Sequence, residues 1–376
     1  MLSKIKKIVR YKFLLPSIYL LTTKKRIKNK LVLYSIEYDY LEPSFFQLYK
    51  ALKSDGRYSL TVINKVHGFS EEVKLIKEIR NARFIFICSG STLLDNIPLR
   101  KETKIINLWH GCGAFKKFGL SKMKGWGDIK DPFNKFKNTN LFTVTSEEIK
   151  EHYSEATGIP LEKGVIRALG SSRTDIFFDK NFLHECDEKK KSFLSEHGAE
   201  NKKILLYAPT FRGKKLSESY TPDFLDLRKL KMNLEDNFIL LLKRHPITKK
   251  RGLEIPDELK SFCIDAGDFF SISELIVISD ILISDYSSLI FEWCLFEKPL
   301  YFLVPDLDEY IDERGFYFDF KSLIMESRLD TTDDLIRAVK DAGNFDFDFI
   351  HKLRKGHMAA CDGKSTRRII AELDNL

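Results

Sequence analysis

The chain has 376 residues, too many for one ordinary hydrophobic core and enough for two domains of about 150–200 residues each. Apolar residues make up 43% and charged residues 31%, a balance typical of globular proteins and unlike that of disordered chains. The net charge of +8 originates in residues 1–30, which contain ten lysines and arginines and no acid; removing these ten leaves 52 basic against 54 acidic residues. Because the rest of the chain is nearly neutral, its folded domains are not expected to bind nucleic acid.

Residues 1–30 are predicted to form a basic, amphipathic segment on the membrane surface. The apolar side chains that interleave with the cations are Ile5, Ile8, Val9, Phe13, Leu14 and Leu15. The longest early apolar run, residues 13–21, contains Pro16 and falls short of the about 20 residues that a membrane span needs. No cleavage site of small residues follows, so no signal peptide is expected. The segment therefore predicts a peripheral protein on the cytoplasmic face of the membrane. The alternative is that residues 1–30 form a solvated, partly frayed terminus.

Short apolar runs, each followed by helix-like sequence, recur in both halves of the chain. They are residues 31–36, 58–63, 83–88, 104–108, 141–145 and 165–169, then 203–207, 238–242, 262–264, 281–284 and 300–304. Continuous apolar strands are typical of parallel sheets buried on both faces. The pattern predicts an α/β fold with two doubly wound, Rossmann-like domains, at residues 31–178 and 179–376. A ligand is expected in a central cleft at the carboxyl ends of the strands.

The first candidate site follows the predicted strand 104–108. His110 lies in a glycine-rich turn, and its ordinary pKa near neutrality suits it to take a proton from an attacking hydroxyl. The glycines do not form a dinucleotide-binding fingerprint, because Lys116 stands where the third glycine would be needed. A structural histidine beside Trp109 is the alternative.

Two further candidates follow strands in the second half. Arg212 comes after the strand 203–207, and a guanidinium offers two parallel donors to a phosphate, although a surface arginine would look the same. His245 comes after the strand 238–242 and lies beside two cations, which favour contact with a diphosphate. Taken alone, His245 could equally be an ordinary loop histidine, so the interpretation depends on the other sites.

A run of small polar residues follows the strand 281–284. Ser287 and Ser288 precede a predicted helix, whose free N–H groups would bind an anion, and Asp285 is either part of that site or a helix N-cap. Six scattered cysteines without a Cys-x-x-Cys pair favour reduced thiols. Because no carboxylate cluster has metal-ligand spacing, the sites predict a transferase that acts on a diphosphate without metal or cofactor.

At these positions the sequence resembles the CDP-glycerol:glycerophosphate glycerophosphotransferase family of teichoic-acid and capsule synthesis. The matching motifs are Trp109-His110-Gly111, Gly170-Ser171-Ser172-Arg173-Thr174-Asp175, Ala208-Pro209-Thr210-Phe211-Arg212, His245-Pro246, Asp285-Tyr286-Ser287-Ser288, Lys298-Pro299, Asp308-Glu309-Tyr310, Glu313-Arg314-Gly315-Phe316-Tyr317 and Asp362-Gly363-Lys364. One departure is Cys112-Gly113, where many members of the family have Thr-Pro after the His-Gly pair.

The resemblance implies a GT-B architecture. It also implies the transfer of a polyol phosphate, with glycerol phosphate from CDP-glycerol as the first choice, to a hydroxyl of a lipid-linked or polymeric acceptor, with release of CMP. It implies His110 as the catalytic base and His245 as the histidine that serves the donor phosphates. The other donor-binding residues that it implies are Thr210, Arg212, Asp285, Ser287, Ser288 and Arg314. Three alternatives stay open: a CDP-ribitol ribitolphosphotransferase, a GT-B glycosyltransferase that uses a nucleotide sugar, and a non-catalytic membrane-binding protein.

Overall fold

The computed structural model describes residues 2–22, 29–122, 135–213, 216–248 and 251–376, apart from the side chains of residues 2–4, 216, 246 and 312–314. These residues fold into two compact units. The first unit comprises Met1–Ile176 and Gly356–Leu376, and the second comprises Phe177–Lys355.

Each unit is built on one sheet of six parallel strands. The strands of the first unit are β1 Lys30–Tyr34, β2 Ser59–Ile63, β3 Phe84–Ile87, β4 Lys104–Asn107, β5 Thr139–Thr143 and β6 Ile166–Arg167, in the order β2-β1-β3-β4-β5-β6. The strands of the second unit are β7 Lys203–Ala208, β8 Phe238–Leu242, β9 Cys263–Asp265, β10 Ile281–Ser284, β11 Leu300–Leu303 and β12 Arg328–Leu329, in the order β12-β11-β10-β7-β8-β9. Each of the eleven predicted runs overlaps a strand, and the two-residue β12 has no counterpart among them.

Helices connect the strands. In chain order they are α1 Leu2–Val9, α2 Leu15–Thr22, α3 Phe46–Asp55, α4 Gly68–Ile79, α5 Lys150–Thr157, α6 Lys180–Glu196, α7 Leu227–Leu234, α8 Ile272–Ile278, α9 Leu289–Trp293, α10 Leu307–Arg314, α11 Phe320–Ile324, α12 Thr332–Lys340, α13 Asp348–Met358 and α14 Ser365–Glu372. A wider turn, Arg10–Leu14, joins α1 to α2.

Both faces of each sheet are covered, as the continuous apolar runs predict. In β1, Leu31 and Leu33 pack with residues of α3 and α14, whereas Val32 and Tyr34 pack with residues of α2 and α4. In β7, Leu205 and Tyr207 pack with residues of α7 and α12, and Ile204 and Leu206, which alternate with them along the strand, are buried too. The prediction of an α/β fold with two Rossmann-like domains is therefore confirmed, and the central cleft stays a prediction.

The C-terminal residues lie in the first unit, whereas the sequence-based division gave all of residues 179–376 to the second domain. Ile369 and Leu373 of α14 are fully buried in the core that contains Leu31 and Leu33. The first backbone N–H groups of α14 donate to the carboxylate of Asp175, at 3.1 and 2.7 Å, where an anion also favours the helix dipole. The first sheet thus needs α14 to cover one of its faces.

Part of the N-terminal segment also belongs to the first unit. Leu15 and Tyr19 are buried in a core with residues of α4, and Arg10 pairs with the buried Glu72 at 2.7 Å. Leu15 was expected at a membrane interface, and the structure instead places it in the protein core. The segment 23–28, with four of the ten predicted cations, lies outside the described residues. None of the helices in the described ranges is both long enough and apolar enough to cross a bilayer.

Candidate functional site

His110 lies just beyond β4, at the carboxyl edge of the first sheet. Its Nδ1 is 3.0 Å from the carbonyl oxygen of Cys88, the residue that follows the neighbouring strand β3. A carbonyl can only accept a hydrogen bond, so Nδ1 carries the proton in the neutral ring and Nε2 keeps its lone pair. The fold therefore holds His110 in the tautomer that a general base needs.

The surroundings of His110 also set its charge. Desolvation lowers the pKa of its imidazole below the ordinary value, and the nearby Arg173 guanidinium lowers it further. Nη1 of Arg173 donates to the backbone oxygen of His110 at 2.9 Å. The ring is consequently neutral near pH 7 and available to accept a proton, although it binds that proton less tightly than a free histidine does.

Trp109 fixes the direction of the chain into His110. It has φ +55°, in the left-handed region that costs a side chain about 1–2 kcal/mol. The Trp109 ring lies 4.3 Å from the His110 ring and 4.7 Å from that of Phe118. The backbone N–H of Trp109 donates to Asn107 Oδ1 at 2.9 Å, and the Trp109 carbonyl accepts from Ser44 Oγ at 3.2 Å. A strained backbone held by specific contacts beside a histidine is typical of a functional site.

The turn after His110 is held by residues that the sequence analysis missed. Gly113 N–H donates to Thr145 Oγ1 at 3.0 Å, and Gly113 O accepts from Tyr153 at 2.8 Å. Ala114 N–H points to Nδ1 of His357 at 3.4 Å. Burial lowers the pKa of His357 to about 4, which keeps it neutral and able to accept. The Cys112-Gly113 departure from the family pattern falls in this turn, and no sequence spacing links it to His357.

Asp285 organises the second candidate site, at the carboxyl edge of the second sheet. It is 1% exposed and accepts from Thr210 N at 2.8 Å, Thr210 Oγ1 at 2.9 Å and Tyr286 N at 2.6 Å. Arg212 Nη1 donates to it at 3.0 Å. The alternative of a simple N-cap does not hold, because the N-cap of α9 is Ser288. Asp285 instead ties the end of β10 to the end of β7.

Arg212 is bound by two carboxylates. Besides Asp285, it contacts Asp306 through Nε at 2.6 Å and Nη2 at 3.2 Å. Burial alone would lower the pKa of Arg212, but the two acids raise it overall. The guanidinium fork that was expected to face a phosphate thus engages protein carboxylates in this structure. Asp306 was missed because it stands alone after β11, outside any of the four candidate segments.

Two tyrosines complete this network. Tyr286 OH donates to Asp306 Oδ1 at 3.0 Å, and its ring stacks on that of Tyr310 at 3.6 Å. The Arg212 guanidinium lies 5.1 Å from each ring centre, at a distance suited to a cation–π contact. The ion pairs of Arg212 and the stacked tyrosine rings together hold the loops after β7, β10 and β11 in place.

His245 follows β8 and is exposed. Its Nδ1 accepts weakly from Ile247 N–H at 3.3 Å, and its ring is 5.0 Å from that of Phe211. An accepting Nδ1 leaves the proton of the neutral ring on Nε2, where it would be a donor.

Ser287 and Ser288 lie at the start of α9, where Ser287 Oγ accepts from Leu289 N–H at 3.3 Å. Ser288 is exposed and Ser287 is half-buried. Arg314 is the last residue of α10, and its side chain lies outside the described residues.

The structure thus brings Thr210, Arg212 and Asp285 together in the second unit and places His110 in the first. Within the described part of the chain, no three His, Cys, Asp or Glu side chains are grouped to hold a metal ion.

The sequence is similar to curated proteins with teichoic-acid names. It is 32% identical to the teichoic acid ribitol-phosphate primase of Bacillus spizizenii over 355 residues, which cover 91% of this chain and 90% of the primase. It is also 32% identical to the teichoic acid poly(ribitol-phosphate) polymerase of the same organism, over 81% of this chain and 49% of the polymerase. The chain therefore spans about half the length of that polymerase.

The fold is similar to that of a solved protein described as the wall teichoic acid polymerase TagF. The TM-score is 0.79 at 21% identity, with 100% of this chain and 96% of the other covered, so the likeness concerns the fold alone. The sequence profile described as CDP-glycerol:poly(glycerophosphate) glycerophosphotransferase matches residues 17–374, nearly the whole chain. The chain belongs to the CDP-glycerol:poly(glycerophosphate) glycerophosphotransferase family.

Proposed function

We propose that the chain transfers a polyol phosphate from a CDP-activated polyol to a hydroxyl of a teichoic-acid-like or capsular acceptor, and that it releases CMP. The observation that carries the proposal is the hydrogen bond from His110 Nδ1 to Cys88 O, which leaves Nε2 free to accept a proton. Family membership supports the donor class.

The reaction is a direct displacement at the β-phosphorus of the donor. The acceptor oxygen forms a bond to this phosphorus while Nε2 of His110 takes the hydroxyl proton. The bond from the β-phosphorus to the bridging oxygen breaks, and CMP leaves with the electron pair. His245 and the Ser287–Ser288 segment donate hydrogen bonds to the diphosphate. Arg212 and Thr210 act with Asp285 to hold this region in shape, and Arg314 stays a proposed donor-binding residue.

Glycerol and ribitol remain the two candidates for the polyol. The sequence analysis put glycerol first, whereas relatives at 32% identity are named for ribitol phosphate and the glycerol-phosphate primase of Bacillus subtilis is 27% identical. Incubation with CDP-ribitol and CDP-glycerol in separate reactions, each with candidate acceptors, tests the proposal by the release of CMP. No CMP from either donor would contradict it, and turnover of a nucleotide sugar would favour a glycosyltransferase.

We also propose that the protein binds an anionic membrane surface reversibly, which would place it beside a lipid-linked acceptor. Exposed apolar side chains lie on α1 and the turn after it: Ile5 is 54%, Val9 50% and Phe13 64% exposed. Lysines interleave with them, and each lysine near an anionic leaflet is worth about 1 kcal/mol, whereas Arg10 is paired with Glu72.

Liposome sedimentation tests this second proposal. Deleting residues 1–30 would remove the buried Leu15 and Tyr19, so Ile5→Ser with Phe13→Ser is the better variant, with Met232→Ser in the second unit as the control. We expect the parent and the control to bind anionic liposomes at low salt and to release at high salt, because exposed charges are screened beyond about 10 Å. Equal binding by the Ile5/Phe13 variant would contradict the proposal.

A further inference from the structure

The motif at residues 170–175 is one of those that resemble the family, yet it has no part in the proposed reaction. It follows β6 in the first unit and leads into the short 3₁₀ helix Ser172–Phe178. Ser172 is fully buried, and Arg173 is half-buried. The hydrogen bonds of these residues show which part of the first unit the motif serves.

Arg173 holds one of the two peptide groups that flank His110. Its Nη1 donates to the carbonyl oxygen of His110 at 2.9 Å. Ser44 holds the other peptide group, because its Oγ donates to the carbonyl oxygen of Trp109 at 3.2 Å. A peptide group is planar, so contacts to the groups before and after a residue restrict the φ and ψ of that residue. The two contacts therefore restrict the direction in which the His110 side chain leaves the backbone.

The His110 ring has a third contact, from Nδ1 to the carbonyl oxygen of Cys88 at 3.0 Å. The three partners of this segment come from the loop after β1, the end of β3 and the turn after β6. Trp109, with φ +55°, has a backbone conformation that is unfavourable for a residue with a side chain, and such a conformation persists only when its surroundings hold it. Contacts from three separate elements provide this support.

Ser172 links the two backbone contacts to each other. Its Oγ donates to the carbonyl oxygen of Ser44, and both serines are buried. Ser172 and Arg173 are neighbours in the chain, so a displacement of this turn would move the partners of Trp109 and of His110 together. The motif therefore supports the segment before and after His110 as a single unit.

Two further residues attach the motif to α14 and the chain before it. Asp175 accepts hydrogen bonds from the backbone N–H groups of Ser365 and Thr366, at 3.1 and 2.7 Å. Gly170 has φ +85°, and a Cβ at this position would clash with the carbonyl oxygen of Ala360. Glycine alone adopts this conformation readily and allows so close an approach of the backbone. The glycine and the aspartate of the motif thus keep its arginine in place.

Arg173 also affects the charge of His110. Desolvation lowers the pKa of the His110 ring, the Arg173 guanidinium lowers it further, and Glu37 raises it. Glu42 and the Cys88 thiol are further titratable groups in this region, and Arg173 lowers the pKa of each of them. Arg173 is therefore at once a contact to the His110 backbone and a charge near its ring, and these two effects can be measured separately.

We propose that Arg173 and Ser44 are positioning residues for His110, and that the motif at residues 170–175 holds them against its backbone. The role of the motif is to orient the base toward the acceptor hydroxyl, and this role needs no contact with the donor. The inference rests on the proposed function, because it concerns the base of the same reaction.

NMR titration of the full chain with ¹⁵N-labelled histidine rings tests the proposal without any substrate. The His110 signal is the one that is absent from His110→Ala. In the parent we expect a neutral ring that is protonated at Nδ1, with a pKa below the ordinary 6.5. Arg173→Met should raise this pKa and populate both tautomers, whereas Arg57→Met, at an exposed arginine before β2, should change neither. A parent-like pKa and tautomer of His110 in Arg173→Met would overturn the proposal.

The kinetics of CMP release measure the effect on the reaction. We expect Arg173→Met and Ser44→Ala each to lower kcat by about 10–100-fold, because a small misplacement of a catalytic group is costly. The KM for the CDP-polyol should change little, since neither residue contacts the donor. The acid limb of the pH profile of kcat/KM should move to higher pH in Arg173→Met and stay in place in Ser44→Ala, because only the first variant removes a charge. General damage to the fold would not separate the two variants in this way.

Arg173→Lys keeps the test decisive if Arg173→Met fails to fold. Lysine keeps the cation but lacks the planar guanidinium that reaches His110 O, so we expect a parent-like pKa of His110 together with a lower kcat. Parent-like kcat in both Arg173→Lys and Ser44→Ala would overturn the positioning role.

The two kinds of measurement separate this inference from the proposed function. Turnover of a CDP-polyol by the parent, with unchanged kcat and an unchanged His110 signal in the variants, overturns the inference alone. Release of no CMP from CDP-glycerol or CDP-ribitol by the parent would count against the proposed function, and the NMR comparison would then decide by itself whether Arg173 positions His110.

Discussion

The carboxyl edges of the two sheets carry different kinds of polar residues. Around His110 in the first unit, a neutral imidazole lies near a buried carboxyl, Glu42, whose oxygens lack partners among the described residues. In the second unit, Asp285 and Asp306 enclose Arg212 with short hydrogen bonds. Both regions lie at the carboxyl ends of the strands of a Rossmann-like unit. The groups around His110 can change their protonation near neutral pH, whereas the ion pairs around Arg212 keep its carboxylates and guanidinium charged.

The difference indicates a division of tasks. The proposed proton acceptor works best when it is neutral at the working pH, and desolvation of the ring with a nearby cation keeps His110 neutral. Burying an ion-pair network has a desolvation cost. This cost is offset, and the geometry becomes fixed, only when each polar atom forms its hydrogen bonds, as at Asp285. We therefore expect substitutions in the first unit to change turnover and pH dependence, and those in the second to change stability and donor binding.

The largest expected effect is that of His110→Ala on turnover. Loss of a general base lowers the rate by about 10²–10⁴-fold, and stability should change little because His110 is not one of the buried core residues of the first unit. The exposed His351→Ala on α13 is the control. In the parent, turnover should fall as the pH drops far enough to protonate His110, with the midpoint below the ordinary pKa of 6.5. Activity of His110→Ala within a few-fold of the parent would remove the base from the mechanism.

Asp285→Ala is expected to have the largest effect on stability. It removes the acceptor of four hydrogen bonds and leaves Arg212 with one carboxylate partner, which should cost about 3–5 kcal/mol of unfolding free energy. Asp330→Ala, which breaks the exposed pair with Arg328, should cost less than about 1 kcal/mol. Chemical denaturation of both variants measures the difference, and similar costs would show that the network adds no more than a surface pair.

Glu42→Gln should stabilise the protein at high pH. The folded pKa is about 7 against an ordinary value of 4.5, so stability is full below the ordinary value and is lost as the pH rises through the folded value. The glutamine variant avoids this loss, which is up to about 3 kcal/mol above pH 7 and absent near pH 4. Exposed Glu326→Gln is the control. Parallel stability–pH curves for parent and Glu42→Gln would contradict the buried-carboxyl assignment.

Removal of divalent metal ions is expected to have the smallest effect. The groups proposed to offset charge on the donor are His245 and the Ser287–Ser288 segment, which all belong to the protein. Turnover measured after demetallation and in the presence of chelator should stay within a few-fold of the untreated enzyme. An absolute requirement for added magnesium or manganese would contradict the prediction that protein groups alone offset this charge.

The N-terminal residues show where pattern reasoning ends. An amphipathic segment has the same sequence whether its apolar face meets a bilayer or another helix. The interleaved residues Ile5 and Val9 are exposed as expected, yet Leu15 of the same set is buried against α4. No local signal separates these positions, because their burial depends on apolar residues of α4 more than fifty positions away.

The sequence by itself determined the two-sheet α/β fold, the family and the positions of the candidate residues at strand ends. Continuous apolar runs and turn residues are local signals, and parallel strands place their carboxyl ends at one edge. Only the tertiary structure decided the pairing of Arg212 with Asp306, the tautomer of His110 and the return of α14 to the first unit. These features join residues that are 94, 22 and more than 300 positions apart, and such contacts follow from packing and not from spacing.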